Sequence, residues 1–368
     1  MTLLVLIEIY AFLLVFCIGA AWYMFRQKTA WGWFPALTAL LLLGYGAFFA
    51  SVQLDPTGTV VNPVVITIPK GASMNQISGI LAEAQVTTKP NYFTTLGQIL
   101  GVDRQLKAGD YEIPPMLSHY DLLLTLTQGH TLLRKVTLPE GIRAADFAQI
   151  LAKADLVDST RFMALVQDSL FCHDLGLPVS NADGYLVPET YFFHRGLDEK
   201  QILQTMTKPL VALLTEPHTI QRLQALQFTP VNLVTLASII EGEAIYDSER
   251  PTISGVYHNR LQRGIPLQAD PTIQFIIDGP PRRVLYKDLE IDSPYNTYRH
   301  RGLPPGPINN PGMASLRAAL DPSDVSFLYF VARGDGYHTF SNNQSEHLAA
   351  KRKFDKIRRE VERSRRGI

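Results

Sequence analysis

The sequence predicts an α+β protein: apolar N-terminal segments, a small strand-and-helix module, and a larger mixed region. Three observations carry that reading. Two long apolar runs open the chain, at 2–25 and 31–52. Residues 64–129 alternate short strand patterns with capped helix patterns. Beyond about residue 180, helix-period segments alternate with long stretches rich in Pro, Gly, Asn and Tyr. A chain of 368 residues can hold two or more domains with ordinary cores.

Each apolar run is long enough to cross a hydrocarbon core at about 1.5 Å per residue, so one or two transmembrane helices are expected. Trp22, Tyr23, Trp31 and Trp33 sit near the run ends, where amphipathic rings favour the membrane interface. Arg26 and Lys28 lie between the runs, and the positive-inside rule places that loop in the cytoplasm. Everything after Ser51 then lies on the extracytoplasmic side. Glu8 is costly within a span, so the first run is expected to pack against a partner or to lie partly at the interface. A cleaved signal peptide is the alternative for that run. It is disfavoured because the second run follows with no clear small-residue cleavage site between.

A turn-rich linker follows at 53–63. "VVITIP" (64–69) alternates as a strand does. Ser73 is placed to cap a helix through "MNQISGILAEA", and "KAGDYEIP" (107–114) reads as turn and strand. Ser118 caps "HYDLLLTLTQG", which Gly129 ends. "TLLRKVTLPEG" (131–141) is the next strand, leading to a helix near Ala144–Ala152. No internal repeat is evident. The loop "SPYNTYRHRGLPPGPINNPG" (293–312) is too sticky for a linker, and is expected either to be disordered or to wall a site. The basic C-terminus "KRKFDKIRREVERSRRGI" reads as a solvated helix face, with anionic lipid or wall polymer as the other reading.

Composition excludes several classes. Lys+Arg and Asp+Glu are 34 each, so nothing points to a nucleic-acid partner. The two cysteines, Cys17 and Cys172, form no CxxC, and an intrachain disulfide between them is not expected. GxSxG, Walker loops and HExxH are absent, and the nine histidines show no metal-ligand spacing, so no cofactor or metal is expected. His258, His338 and His347 are site candidates against a structural reading.

The chemical signal lies in "ASIIEGEA" (237–244). Thr229 suits an N-cap and Pro230 the first turn of this helix. At about 100° per residue, Glu241 and Glu243 both fall inside the apolar arc, on opposite flanks roughly 160° apart. Thr235, Ser238, Gly242 and Tyr246 mark the wetter side. A carboxylate in such a place is either ion-paired, with Arg250, Arg260 or Arg263 within reach, or has a raised pKa. A raised pKa suits a general acid for glycosidic cleavage. Residues two apart on a helix do not converge on one bond, so one acid acts alone or with a partner elsewhere, for example Asp270.

Taken in series, "LPEGIRAADFAQIL" (138–151), "DGYLVPETYFF", "LASIIEGEA" (236–244), "SERPTISGVYHNRL" (248–261), "GIPLQADPTIQF" (264–275), "SPYNTY" (293–298), "GLPPGPINNPG" (302–312), "FLYFVARGDGYHTFS" (327–341) and "SEH" (345–347) resemble the MltG (YceG-like) family of endolytic murein transglycosylases. "LKAGDYEI" (106–113) resembles that family's LysM-like region. The resemblance implies a membrane anchor (1–56), a LysM-like α+β module (57–135), a mixed α/β catalytic domain (136–350) and a basic C-terminal helix or tail (351–368). It implies cleavage between N-acetylmuramic acid and N-acetylglucosamine inside nascent peptidoglycan strands, leaving 1,6-anhydro ends without consuming water. The enzyme would sit in the inner membrane near the cell-wall synthesis machinery. By alignment Glu243 is the general acid and base, and Glu241 the supporting or alternative acid. Asn259, Gln268, Asp270, Tyr295, Asn296, Tyr298 and His338 are the substrate-binding candidates. Two departures stand out: two apolar runs where one span is usual, and Gly242 where a longer, often basic residue is expected. A muramidase-type hydrolase with Asp270 as second acid, and a non-catalytic wall-binding scaffold, are the competing readings.

Overall fold

The structure is a computed structural model that describes residues 3–27, 33–54, 57–129, 131–280 and 282–365. Within its first, second and last helices, the side chains of 3–10, 48–54, 357 and 360–365 lie outside the description. The Glu8 side chain, Lys28 and Trp31 are therefore outside it as well.

The first unit comprises Met1–Leu133 with His194–Gly196. It contains α1 (Leu3–Arg26), α2 (Trp33–Leu54), β1 (Val64–Ile68), α3 (Met74–Glu83), α4 (Pro90–Ile99), β2 (Gly109–Ile113) and α5 (His119–Gln128). Among the described residues, no single helix is long and apolar enough to cross a membrane; shorter apolar helical stretches run over Ala11–Arg26 and Trp33–Ala47. β1 and β2 pair antiparallel, Ile66 opposite Tyr111. Ser73 accepts from the Gln76 amide and Gln76 reaches back to the Ser73 amide, closing a capping box that starts α3. Ser118 caps α5 by accepting from the Asp121 amide, and Gly129 ends that helix in the left-handed region at φ 76°. Ile68, Ile77, Leu81, Phe93, Tyr111, Leu122 and Leu126 form this unit's own core.

The second unit comprises Arg134–Phe193 and Leu197–Ile368. Its elements are β3 (Leu133–Thr137), α6 (Ala144–Lys153), α7 (Ser159–Val166), α8 (Ser169–Asp174), β4 (Thr190–His194), α9 (Glu199–Thr215), α10 (Pro217–Leu226), α11 (Pro230–Glu243), α12 (Arg250–Gln262), α13 (Asp270–Ile276), α14 (Met313–Leu320), β5 (Tyr329–Ala332), β6 (His338–Ser341) and α15 (Gln344–Arg365). β3 pairs with β4, and β5 with β6 in an antiparallel hairpin. α11 sits at the centre, packed on α12, α13 and α14. The expected tail is not a separate piece, because α15 runs unbroken from Gln344 and packs on β5 and β6.

An internal repeat does exist, contrary to the sequence expectation. The strand–turn–helix unit β1–α3 recurs as β3–α6. Thr67, Pro69, Gly71, Ile80, Leu81, Ala82 and Ala84 reappear as Thr137, Pro139, Gly141, Ile150, Leu151, Ala152 and Ala154. Both turns use a glycine at positive φ, 77° at Gly71 and 76° at Gly141. Both helices exit through a non-glycine left-handed residue, Gln85 at 58° and Asp155 at 56°. The repeat hides in the sequence because its core positions change size, Met74 to Ala144 and Ile77 to Phe147. The turn and the helix exit are retained, while the N-cap changes from Ser73, which accepts from the Gln76 amide, to Arg143, whose side chain makes no cap bond.

Candidate active site

α11 is buried all round over Leu233–Ile240, so Thr235 and Ser238 are not on a wetter side as the helical wheel suggested. Ser238 donates to the Thr235 carbonyl and accepts from the Ile308 amide, while Asn309 donates to the Ser238 carbonyl. The loop at 293–312 thus meets the helix at Ile308 and Asn309, whose polar groups engage Ser238. Thr229 and Asn232 form the capping box that starts α11, with Pro230 in the first turn. At the far end the two acids emerge into different surroundings.

Glu241 enters an ion-pair network. Its Oε1 lies 3.0 Å from Arg250 Nη1, with both side chains 5% exposed. Its Oε2 accepts from the Gly312 amide at 2.9 Å. Arg250 also holds Asp247 and Glu140, and donates to Ser315. Arg250 was a candidate partner for Glu243; it pairs with Glu241 instead, joining the start of α12 to the end of α11. Every acceptor of Glu241 is engaged by protein, and the residue does not line the cavity described below.

Glu243 opens on a cavity of about 540 Å³. Asp270, Gln268, Tyr298 and His338 line the same space, with Leu267 and Phe330 as apolar wall. Tyr257, from α12 and 1% exposed, donates its hydroxyl to Glu243 Oε1 at 2.9 Å. Burial pushes the Glu243 carboxyl up to about 7; the Tyr257 hydrogen bond holds it down in part, and the Asp270 charge adds to the rise. Tyr298 donates to Asp270 Oδ1 at 2.5 Å, and burial together with that bond raises the Tyr298 phenol. His338 is anchored through Nδ1 to Glu249 Oε2 at 2.9 Å. Gln268 is held at φ 53°, in the left-handed region, with its Oε1 accepting from Arg260.

The structure thus brings Glu243, Gln268, Asp270, Tyr298 and His338 together and leaves three other candidates elsewhere. Asn259 donates to the Val325 and Phe327 carbonyls. Asn296 is fully buried and donates to the Leu289 and Ile291 carbonyls. Tyr295 packs on Phe275, ring centroids 4.7 Å apart. None of these three lines the cavity. His258 is buried, bonded to the Ala319 carbonyl and stacked on Phe228, whereas His347 does line the cavity. Sequence reasoning missed Tyr257. Its signal was a hydroxyl-bearing ring inside "ISGVYH", a segment buried on every side. Among the described residues no three His, Cys, Asp or Glu side chains are grouped as a metal ion would require.

The sequence profile of the YceG-like family matches residues 66–353. The chain belongs to the YceG-like family. A relative named endolytic murein transglycosylase, from Bacillus subtilis (strain 168), is 32% identical over 336 residues, covering 85% of this chain and 91% of that one. A protein of the same name from Streptococcus pneumoniae (strain ATCC BAA-255 / R6) is 27% identical over 318 residues, 77% of this chain and 57% of that longer one. A YceG-like protein from Listeria monocytogenes, known from a crystal structure, is 30% identical with a TM-score of 0.53, covering 79% of this chain and 99% of that one.

For a YceG-like chain, the glycine between the two acids needs a reason, and α13 supplies it. A Cβ built on Gly242 would lie 2.6 Å from Pro271 Cβ. The missing side chain lets the start of α13, and with it Asp270, approach the end of α11.

Proposed function

We propose that this protein is an endolytic murein transglycosylase, with Glu243 as its general acid and base. The observation that carries the reading is a single carboxyl with a pKa near 7 opening on a partly apolar cavity, beside a phenol that fixes its orientation. Protonated Glu243 donates to the oxygen bridging the muramoyl and glucosaminyl sugars, and the bond to muramoyl C1 breaks. Positive charge develops at C1 and its ring oxygen. Glu243, now a carboxylate, takes the proton from the C6 hydroxyl of the same muramoyl residue as that oxygen closes on C1. The acid is regenerated and no water enters. An intramolecular hydroxyl outcompetes water through its effective molarity, about 10⁵ M or more in favourable geometry. Asp270 contributes negative charge on the same cavity and is itself positioned by Tyr298. Gln268 and His338 are the proposed sugar contacts. Glu241 is proposed as a brace, since protein groups take all its bonds.

The apolar runs at 2–25 and 31–52 support an anchor in the inner membrane, with residues beyond Ser51 on the outer side, where nascent strands and the machinery that makes them are found. The residues around β1, α3, α4, β2 and α5 are proposed as the LysM-like module. The deciding experiment digests uncrosslinked glycan strands with full-length protein in detergent and reads the new ends by mass spectrometry. Anhydro ends that vanish with Glu243→Gln are expected. Reducing ends would replace the lyase reading by a hydrolase, and unchanged strands would replace it by a binding protein.

A further inference from the structure

The cavity has a second wall that the cleavage reaction does not use. Gln344, His347, Leu348, Lys351 and Phe354 all line it, spaced three and four apart. That spacing is one continuous face of α15. The helix expected to be a solvated tail therefore closes one side of the space that holds Glu243.

This wall is cationic, and among the described residues neither Arg260 nor Lys351 is ion-paired, although Asp270 and Glu243 face the same space. Arg260 is 6% exposed and donates only to neutral oxygens: the Leu328, Pro266 and Leu267 carbonyls and Gln268 Oε1. Its guanidinium lies 5.0 Å over the Tyr329 ring, and Tyr329 stacks on His347 at 5.2 Å. Lys351 is exposed to the cavity on the same side. The acids nearest in sequence are occupied elsewhere, Glu346 with Asn342 and Asn343, and Asp355 with Arg358. Burial pushes His347 down, and Lys351 and then Arg260 add to that shift. A buried cation without a counter-ion is a costly arrangement that an incoming anion relieves.

Resting on the transglycosylase reading, we propose that this face of α15 is the subsite for the peptide borne by the muramoyl residue, with Lys351 receiving a carboxylate of that peptide. Along a peptide-bearing strand the sugars are neutral, because each muramoyl lactyl carboxyl is taken up in the amide link to its peptide, so the negative groups along the strand are those of its peptides. Leu348 and Phe354 give the peptide's methyl-bearing residues an apolar floor. Arg260, held in place by four acceptors, supplies positive potential behind the contact. Lys351 is then a specificity-determining residue of the site.

Binding separates this proposal from the chemistry. The full-length Glu243→Gln variant, in detergent, is titrated with fluorescent uncrosslinked strands that carry peptide, and with the same strands after their peptide carboxylates have been converted to methylamides. Strands with free peptide carboxylates are expected to bind about tenfold tighter, the size of one charge-assisted contact. Lys351→Ala in that background brings the ratio of the two Kd values close to one, and Lys351→Arg restores most of it. No discrimination by the parent, or equal weakening of both strands by Lys351→Ala, overturns the subsite. Failure of the wild-type protein to make anhydro ends would overturn the transglycosylase reading while leaving this Kd ratio measurable.

Discussion

Glu243 and Glu241 are two residues apart on one helix and differ in their surroundings. Glu241 is neutralised by Arg250, whereas Glu243 meets a phenol and an apolar wall. The catalytic consequence is a pH dependence with a definite sign. In the role proposed for it Glu243 must carry its proton, so kcat/KM is expected to hold below about pH 7 and to fall above it. Because the Tyr257 bond pulls the Glu243 pKa down, Tyr257→Phe should move that basic limb to higher pH; an unmoved limb would show that Tyr257 only fills space. The same shift affects stability. The folded-state pKa is raised above the unfolded one, so the stabilisation is complete below about pH 4.5 and is lost as pH rises through about 7. Glu243→Gln removes that loss. It should be more stable than wild type by about 3 kcal/mol at pH 8 and nearly equal at pH 4, by denaturant unfolding.

At the scale of elements, the end of α11 is held by what crosses it. Arg250 on α12 ties to Glu241, and removing one partner of a buried pair leaves the other charge stranded. Arg250→Met is expected to cost about 3 kcal/mol in urea unfolding. A double variant with Glu241→Gln should recover part of that loss, since it removes the stranded charge. Gly242 meets α13 through Pro271, so Gly242→Val should force the start of α13 away and displace Asp270. A drop in kcat/KM of tenfold or more, with little change in helix content by circular dichroism, is the expected result. Much at this scale was legible beforehand. Ser73, Ser118, Thr229, Pro230 and Gly129 stand where capping chemistry puts them, because a helix end is satisfied by residues within four positions of it. The wheel of α11 was less informative. It separated the two acids correctly but mistook Thr235 and Ser238 for surface, because a helix surrounded by α12, α13, α14 and a polar loop has no wet face.

At the scale of the molecule, the chain joins a first unit with its own small core to a second unit carrying the site. The anchor reading is tested here. Full-length protein in cells is expected to stay with the membrane fraction after high-salt and alkaline washing, and residues beyond Ser51 should be cleaved by protease added from the outside. Release by salt alone would argue against a spanning segment. The repeated strand–turn–helix unit belongs to this scale too. It is faint in the sequence because local shape tolerates exchange of Met74 for Ala144, provided the turn glycine and the hydrophobic spacing remain.

By itself the sequence determined the acids, their placement on opposite flanks of one helix, the helix ends, the apolar N-terminal runs and the family resemblance. These follow from spacing along the chain and from residue chemistry. Only the tertiary structure decided which acid meets Arg250 and which meets Tyr257, that Asn259 and Asn296 bond the chain's own carbonyls, and that α15 walls the cavity. Those outcomes depend on which distant segments touch. The pKa of a carboxyl is set by the groups folded against it, and residue order along one helix does not specify them.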